Sequence, residues 1–141
     1  MILLDTDHLT ILRYPENPRY AALTARMYES MDEDFTTTVV NVEEQTRGWL
    51  SYINAKREIL DQIEGYERLA ELFEFFADWE IARLDERAAE EFGRLREQGI
   101  RIGTMDLKIA SIALVQDATL LTANLRDFQK VPGLRVENWI E

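Results

Sequence analysis

The chain has no cysteine and a single histidine. The first absence excludes disulfides, zinc-thiolate sites and cysteine nucleophiles, and the second excludes a metal site built on several imidazoles. Any metal held here is a hard ion on oxygen ligands. Three prolines and six glycines in 141 residues leave little material for linkers. The proline-bearing stretches "RYPENPRY" and "KVPGLRVE" read as turns, and no repeat or low-complexity segment occurs. No apolar run approaches the roughly 18–20 residues of a membrane span, and the N-terminus lacks the basic region and apolar stretch of a signal peptide. One soluble, cytoplasmic domain with a real core is the expectation, with no membrane partner. Cations are scarce: 16 Lys and Arg stand against 27 Asp and Glu, a formal net charge of -11. That balance argues against non-specific nucleic-acid binding while leaving room for a local basic rim. Also missing are G-x-G-x-x-G, the P-loop and the G-x-S-x-G elbow, and no Ser-His-acid order surrounds His8. His8 reads as a helix-surface or site-rim residue rather than a base.

What is present is an alternation. Short apolar runs at 2–4, 35–39, 79–83 and 119–122, with a further one near 134–138, read as strands. Helical patterns fall near 7–13 and 18–30, over a long region from 42 to about 77, and at 86–97 and 104–116. Strands alternating with helices predict an α/β layered domain with a mostly parallel sheet. In such sheets the ligand crevice lies beyond the carboxyl ends of the strands.

Oxygen-bearing side chains gather at those ends. Asp5 follows "ILL", Glu44 opens the helix after "FTTTVV", Asp106 lies in the first turn of "TMDLKIASIALV", and Asn124 and Asp127 follow "TLLT". Each has a bland explanation. Thr6 or Asp7 is a fitting N-cap for "HLTILR", and for Asp7 capping competes evenly with ligation. Asn41 and Glu44 match a capping box, and Thr104 can cap the helix that carries Asp106. Capping does not explain why four stretches converge on one sheet edge. Carboxylates so gathered repel one another and raise each other's pKa unless a cation sits among them, which points to Mg²⁺ or Mn²⁺ and to water-driven phosphodiester chemistry.

The ordered strings "ILLDTDHLTILR", "VVNVEEQTRGWL", "IGTMDLKIASIAL" and "LLTANLRDFQKVPGLRVENW" resemble the PIN domain, in particular the VapC-type toxin ribonucleases of toxin–antitoxin pairs. The resemblance runs from about residue 2 to residue 139. It implies a three-layer α/β/α sandwich, a Mg²⁺- or Mn²⁺-dependent endoribonuclease acting on RNA, and a homodimer neutralised by an antitoxin. Carried over, Asp5, Glu44 and Asp106 resemble the family's first three acids, Glu44 standing four residues before Gly48. The fourth acid position falls on Asn124, which replaces a carboxylate by a neutral oxygen. Asp7, Thr122 and Asp127 look like supporting residues.

RNA must be attracted by rim cations, for which Arg13, Arg47, Lys108, Arg126 and Lys130 are candidates. In "YERLAELFEFFADW", Leu69, Leu72, Phe73 and Phe76 recur at helical spacing and predict a core-facing stripe, with Phe75 and Trp79 beyond it and a docking seam as the second reading. Two rivals remain: a haloacid-dehalogenase-like phosphatase with Asp5 as nucleophile, and a non-catalytic RNA-binding module of the same fold.

Overall fold

The computed structural model describes residues 1–141. Its elements run β1 (Ile2–Leu4), α1 (Thr6–Arg13), α2 (Tyr20–Glu29), β2 (Phe35–Thr38), α3 (Val39–Asn54), a 3₁₀ turn (Ile59–Gln62), α4 (Ile63–Phe76), β3 (Ile81–Ala82), α5 (Glu86–Glu97), α6 (Thr104–Val115), β4 (Thr119–Leu121), α7 (Leu125–Phe128) and β5 (Arg135–Glu137). All five strands are parallel, in the order β3-β2-β1-β4-β5, with Leu3 beside Leu120 and Leu4 beside Leu121. The chain winds outward from β1 to one edge and then returns to β4 on the other side. That reversal puts the topological switch point between β1 and β4, so the crevice opens where Asp5 and Thr122 leave their strands.

Helices cover both faces, making the expected three-layer sandwich. On one side Leu3 and Leu120 pack with Ala88 and Leu95 of α5 and Leu107, Ile109 and Ile112 of α6. On the other, Ile2, Leu4 and Leu121 pack with Leu9 of α1 and Leu72 and Phe76 of α4. Helix α6 buries residues all round, from Leu107 to Ala113, because it lies between the sheet and α5.

The structure departs from the sequence reading in local ways. The single helical region expected from 42 to 77 is two antiparallel helices broken over residues 55–62. They meet at Gly65, where an added Cβ would lie 2.5 Å from Ile53 Cγ1. Helix α3 starts at Val39 because Thr38 caps it, its hydroxyl accepting from Asn41 N at 3.1 Å, so Asn41 is not the cap and Glu44 lies in the second turn. Helix α1 is capped by Asp5 rather than by Thr6 or Asp7: the helix follows β1 without a spacer, and Asp5 Oδ1 accepts from Thr6 N. Gly103, not Thr104, occupies the N-cap of α6. On α4, Leu72 and Phe76 are buried and Leu69 half-buried, but Phe73 is 54% exposed while Phe75 and Trp79 pack against the core.

Candidate active site

Asp5 sits at the crossing point of three elements. It is 8% exposed, and its Oδ1 accepts from Thr6 N at 2.8 Å and from Asn41 Nδ2 at 2.8 Å, while Oδ2 accepts from the Thr122 hydroxyl at 2.8 Å. Two donors saturate Oδ1, so only Oδ2 keeps a free lone pair. Asn41 is held in this role by Thr38, whose hydroxyl donates to Asn41 Oδ1 at 2.7 Å. Burial raises the Asp5 pKa above the usual carboxylate range and the negative charge of Asp7 adds to it, against the lowering effect of the three donors.

Glu44 reaches the same place from α3. Burial, then the charges of Asp5 and Asp106, push its carboxyl up to about 7. One of its oxygens, Oε1, is buried with no hydrogen-bond partner. Asp106 in the first turn of α6 is raised to about 6, chiefly by burial and by Asp5. Asn124 directs its amide Nδ2 at Asp127 Oδ2 (3.1 Å) and Asp106 Oδ2 (3.4 Å), so in this structure it faces the acids as a donor rather than as an oxygen ligand. The bond from Asn124 is also the leading reason why Asp127 has a lowered pKa.

Asp7 faces the same loop. Its Oδ2 accepts from Ala123 N at 2.8 Å, and its Oδ1 pairs with His8 Nδ1. His8 is neither on the surface nor at the rim: it is fully buried, and its Nε2 accepts from Trp139 N at 3.1 Å. An N–H donor facing Nε2 requires that the proton sit on Nδ1, toward Asp7. The histidine therefore ties the C-terminal segment to the loop after β4.

No three acidic or histidine side chains close into a ready-made ligand cage. The donor set nevertheless suits a hard divalent cation: it is all oxygen, it carries several carboxylates raised in pKa by burial and by one another, and it includes the unpartnered Glu44 Oε1. The residues that could hold such an ion are Asp5 through Oδ2, Glu44 and Asp106; Asn124 could join only by turning its amide over.

Of the rim cations, Arg13 reaches the residue after Glu44, its Nη1 donating to Gln45 Oε1 at 3.0 Å. Arg47 is paired with Glu43 (2.6 Å) and Lys130 with Asp127 (3.5 Å), Arg126 is exposed on α7, and Lys108 is half-buried on α6. Two further arginines missed in the sequence, Arg96 and Arg101, line a cavity of about 540 Å³ bordered by Gly103 and Asp127. Asn41 and Gln45 were also missed as site residues. Their signal was available: 41, 44, 45 and 48 fall on one helical face.

The profile of the PIN domain family matches residues 2–134. Among curated proteins, the chain is 38% identical over 69 residues to ribonuclease VapC2 of Rickettsia felis, covering 46% of this chain and 52% of that protein. It is 33% identical over 69 residues, with the same coverage, to the tRNA(fMet)-specific endonuclease VapC of Salmonella typhimurium. The matches thus span about half the length of these curated relatives. Among solved structures, VapBC-1 of nontypeable Haemophilus influenzae superposes with a TM-score of 0.73 at 21% identity over 100% of both chains. The DNA-bound VapBC of Salmonella typhimurium does so with a TM-score of 0.72 at 22% identity, over 98% of this chain and 97% of that one. At these identities the superpositions establish the fold.

Proposed function

Since the chain belongs to the PIN domain family, we propose that it is a Mg²⁺- or Mn²⁺-dependent endoribonuclease and the toxin of a toxin–antitoxin pair. The observation that carries this reading is the meeting of Asp5, Glu44 and Asp106 at the switch point of a parallel sheet, with one carboxylate oxygen unpartnered. A divalent ion held by Asp5, Glu44 and Asp106 would supply the positive charge that these carboxylates lack and Lewis acidity toward a phosphoryl oxygen and water. The protein's own part is positioning. Thr6, Asn41 and Thr122 fix the Asp5 carboxylate so that Oδ2 alone keeps a free lone pair. Asp7 and His8 pin the loop that carries Asn124, and Asn124 restrains Asp106.

Arg13, Arg96 and Arg101 flank the centre and provide the local cations that RNA requires on a chain of net charge -11. The phosphatase alternative fits poorly, because a nucleophilic Asp5 would have to act from a carboxylate engaged by three donors. An antitoxin protein or a second copy of the chain would cover the apolar strip of Ile59, Leu60, Ile63, Tyr66 and Phe73, exposed along the 3₁₀ turn and α4. The test is cleavage of an RNA panel that includes initiator tRNA, the substrate named for a relative. With Mn²⁺ the purified protein should cut, and Asp5→Asn, Glu44→Gln or EDTA should each abolish cutting. Cleavage that survives all three sinks the reading, and metal binding without cleavage favours a non-catalytic module.

A further inference from the structure

Next to the carboxylates, between α1 and α3, the surface sinks into a cavity of about 340 Å³. It starts where the acid cluster ends, since its lining includes Thr6, which follows Asp5, and Gln45, which follows Glu44. Tyr14, Trp49 and Tyr52 give it aromatic walls, the last two packed edge to face at 5.7 Å. Gly48 leaves space there: nothing lies within 4 Å of where its Cβ would be.

The hydrogen-bond accounting in this cavity is one-sided. Gln45 is 9% exposed, its Oε1 is engaged by Arg13, and its Nε2 is buried with no partner at all. An amide in that state is costly unless something else completes it. Arg13 brings further N–H groups and no acceptor. The Thr10 hydroxyl is directed away, donating to Thr6 O at 2.8 Å. An occupant that completes the site must be flat enough to lie along aromatic rings and must present an acceptor to Gln45 and Arg13.

We propose that this cavity is a base subsite for the RNA, taking an unpaired keto base, guanine or uracil, from the nucleotide adjoining the scissile phosphate. The identity of the ligand rests on the ribonuclease reading above. The carbonyl oxygen of the base accepts from Arg13 and, once the Gln45 side chain swings its buried amide toward the cavity, from Gln45 Nε2, and the ring packs on Trp49 and Tyr52. Adenine and cytosine carry an exocyclic amino group where guanine and uracil carry that carbonyl. They set donor against donor and leave the Gln45 amide uncompleted, which is the kind of mismatch that discriminates strongly.

The test has two arms. In the first, the ¹⁵N-labelled protein in EDTA is titrated with GMP, UMP, AMP and CMP while the Trp49 indole and Gln45 side-chain amide resonances are followed. GMP and UMP should shift both, with half-saturation at concentrations about tenfold lower than for AMP and CMP. Gly48→Leu, which fills the open space with a better helix former, should remove the shifts, and Gln45→Ala should leave the Trp49 shift while removing the preference. In the second arm, cut sites in a random single-stranded RNA pool are sequenced with Mn²⁺ present. The ratio of cuts beside guanine and uracil to cuts beside adenine and cytosine should fall about tenfold in Gln45→Ala. Absent shifts, equal shifts with all four nucleotides, or shifts that persist in Gly48→Leu overturn the subsite. A protein that binds GMP and UMP at Gln45 but never cuts RNA overturns the ribonuclease reading and leaves the subsite standing.

Discussion

Replacing Glu44 by Gln should make the cation-free protein more stable, not less. The Glu44 carboxyl is raised from 4.5 to about 7 by burial and by the charges of Asp5 and Asp106. Between those two pH values the folded protein holds a proton that the unfolded chain has released, so stability falls as pH rises through this window and levels off above it. The benefit of protonation is fully present below pH 4.5 and gone above about 8. Without screening, a displacement of this size is worth about 3.4 kcal/mol. Glu44 is only partly buried, and solvent screening reduces the figure to roughly 1–1.5 kcal/mol. Glutamine has no charge to lose and brings an N–H donor to the neighbouring acids. In EDTA at pH 8, Glu44→Gln should therefore melt roughly 3–6 °C above the wild type. At pH 4 the two should coincide, and the variant's stability should fall less steeply from pH 5 to 8. Mn²⁺ should raise the wild-type melting temperature and raise that of the variant much less. A variant that melts below the wild type at pH 8 in EDTA, or an unchanged pH slope, refutes the assignment of Glu44 as a strained member of a carboxylate cluster.

His8→Ala removes a buried ring that links Asp7 to Trp139 N, leaving a cavity and an unpaired amide; it should cost about 2–4 kcal/mol in urea unfolding, and the Trp139 amide should lose hydrogen-exchange protection ahead of the core strands. Gly65→Ala should destabilise by roughly 1–3 kcal/mol, because the new methyl meets Ile53 and Tyr52 where α3 and α4 approach, whereas Gly48→Ala on the open face should stabilise by about 0.5–1 kcal/mol. Chemical denaturation of both variants checks the pair, and equal effects at the two glycines would contradict the packing described here.

How far the sequence revealed this molecule depended on how local each cause was. The strands after Met1, before Val39 and before Thr122 were legible because short runs such as "ILL" and "TLL" are bounded by polar turns and read the same in isolation as in the sheet. The break between α3 and α4 was not, because "NAKREILDQIEGYERLAELF" has no proline and no glycine before Gly65, so local propensity runs on unbroken. The cause of the break is the packing of α4 back onto α3, a long-range effect whose one trace in the sequence is Gly65 itself. Capping patterns misled for a related reason. Asn41 and Glu44 satisfy the capping-box spacing, but Thr38 caps first, and the Asn41 amide is then free to reach Asp5, 36 positions away. His8 looked like a surface residue because both of its partners are needed to make burial tolerable, and one of them is 131 positions distant.

These long-range bonds also explain how an acidic chain comes to hold so many carboxylates at one sheet edge. Asp5 is surrounded by uncharged donors, Asn41, Thr122 and a backbone N–H, rather than by a lysine or arginine. Asp7 and Asp106 likewise meet an amide, a backbone N–H or a histidine that must be neutral at Nε2. Neutral donors orient a carboxylate without cancelling its charge, so the cluster keeps an excess of negative potential directed into the crevice. A salt-bridged cluster would have been more comfortable in the folded protein and useless as a cation site, since its charge would already be matched. The same excess repels a phosphodiester as long as no cation is bound. If the chain is the metal-dependent ribonuclease proposed above, cation and RNA should favour each other's binding, and by linkage the gain is equal in both directions. The arginines line two separate cavities outside this cluster, Arg13 in one and Arg96 and Arg101 in the other, so on the proposed ribonuclease reading they would hold RNA without quenching the carboxylates.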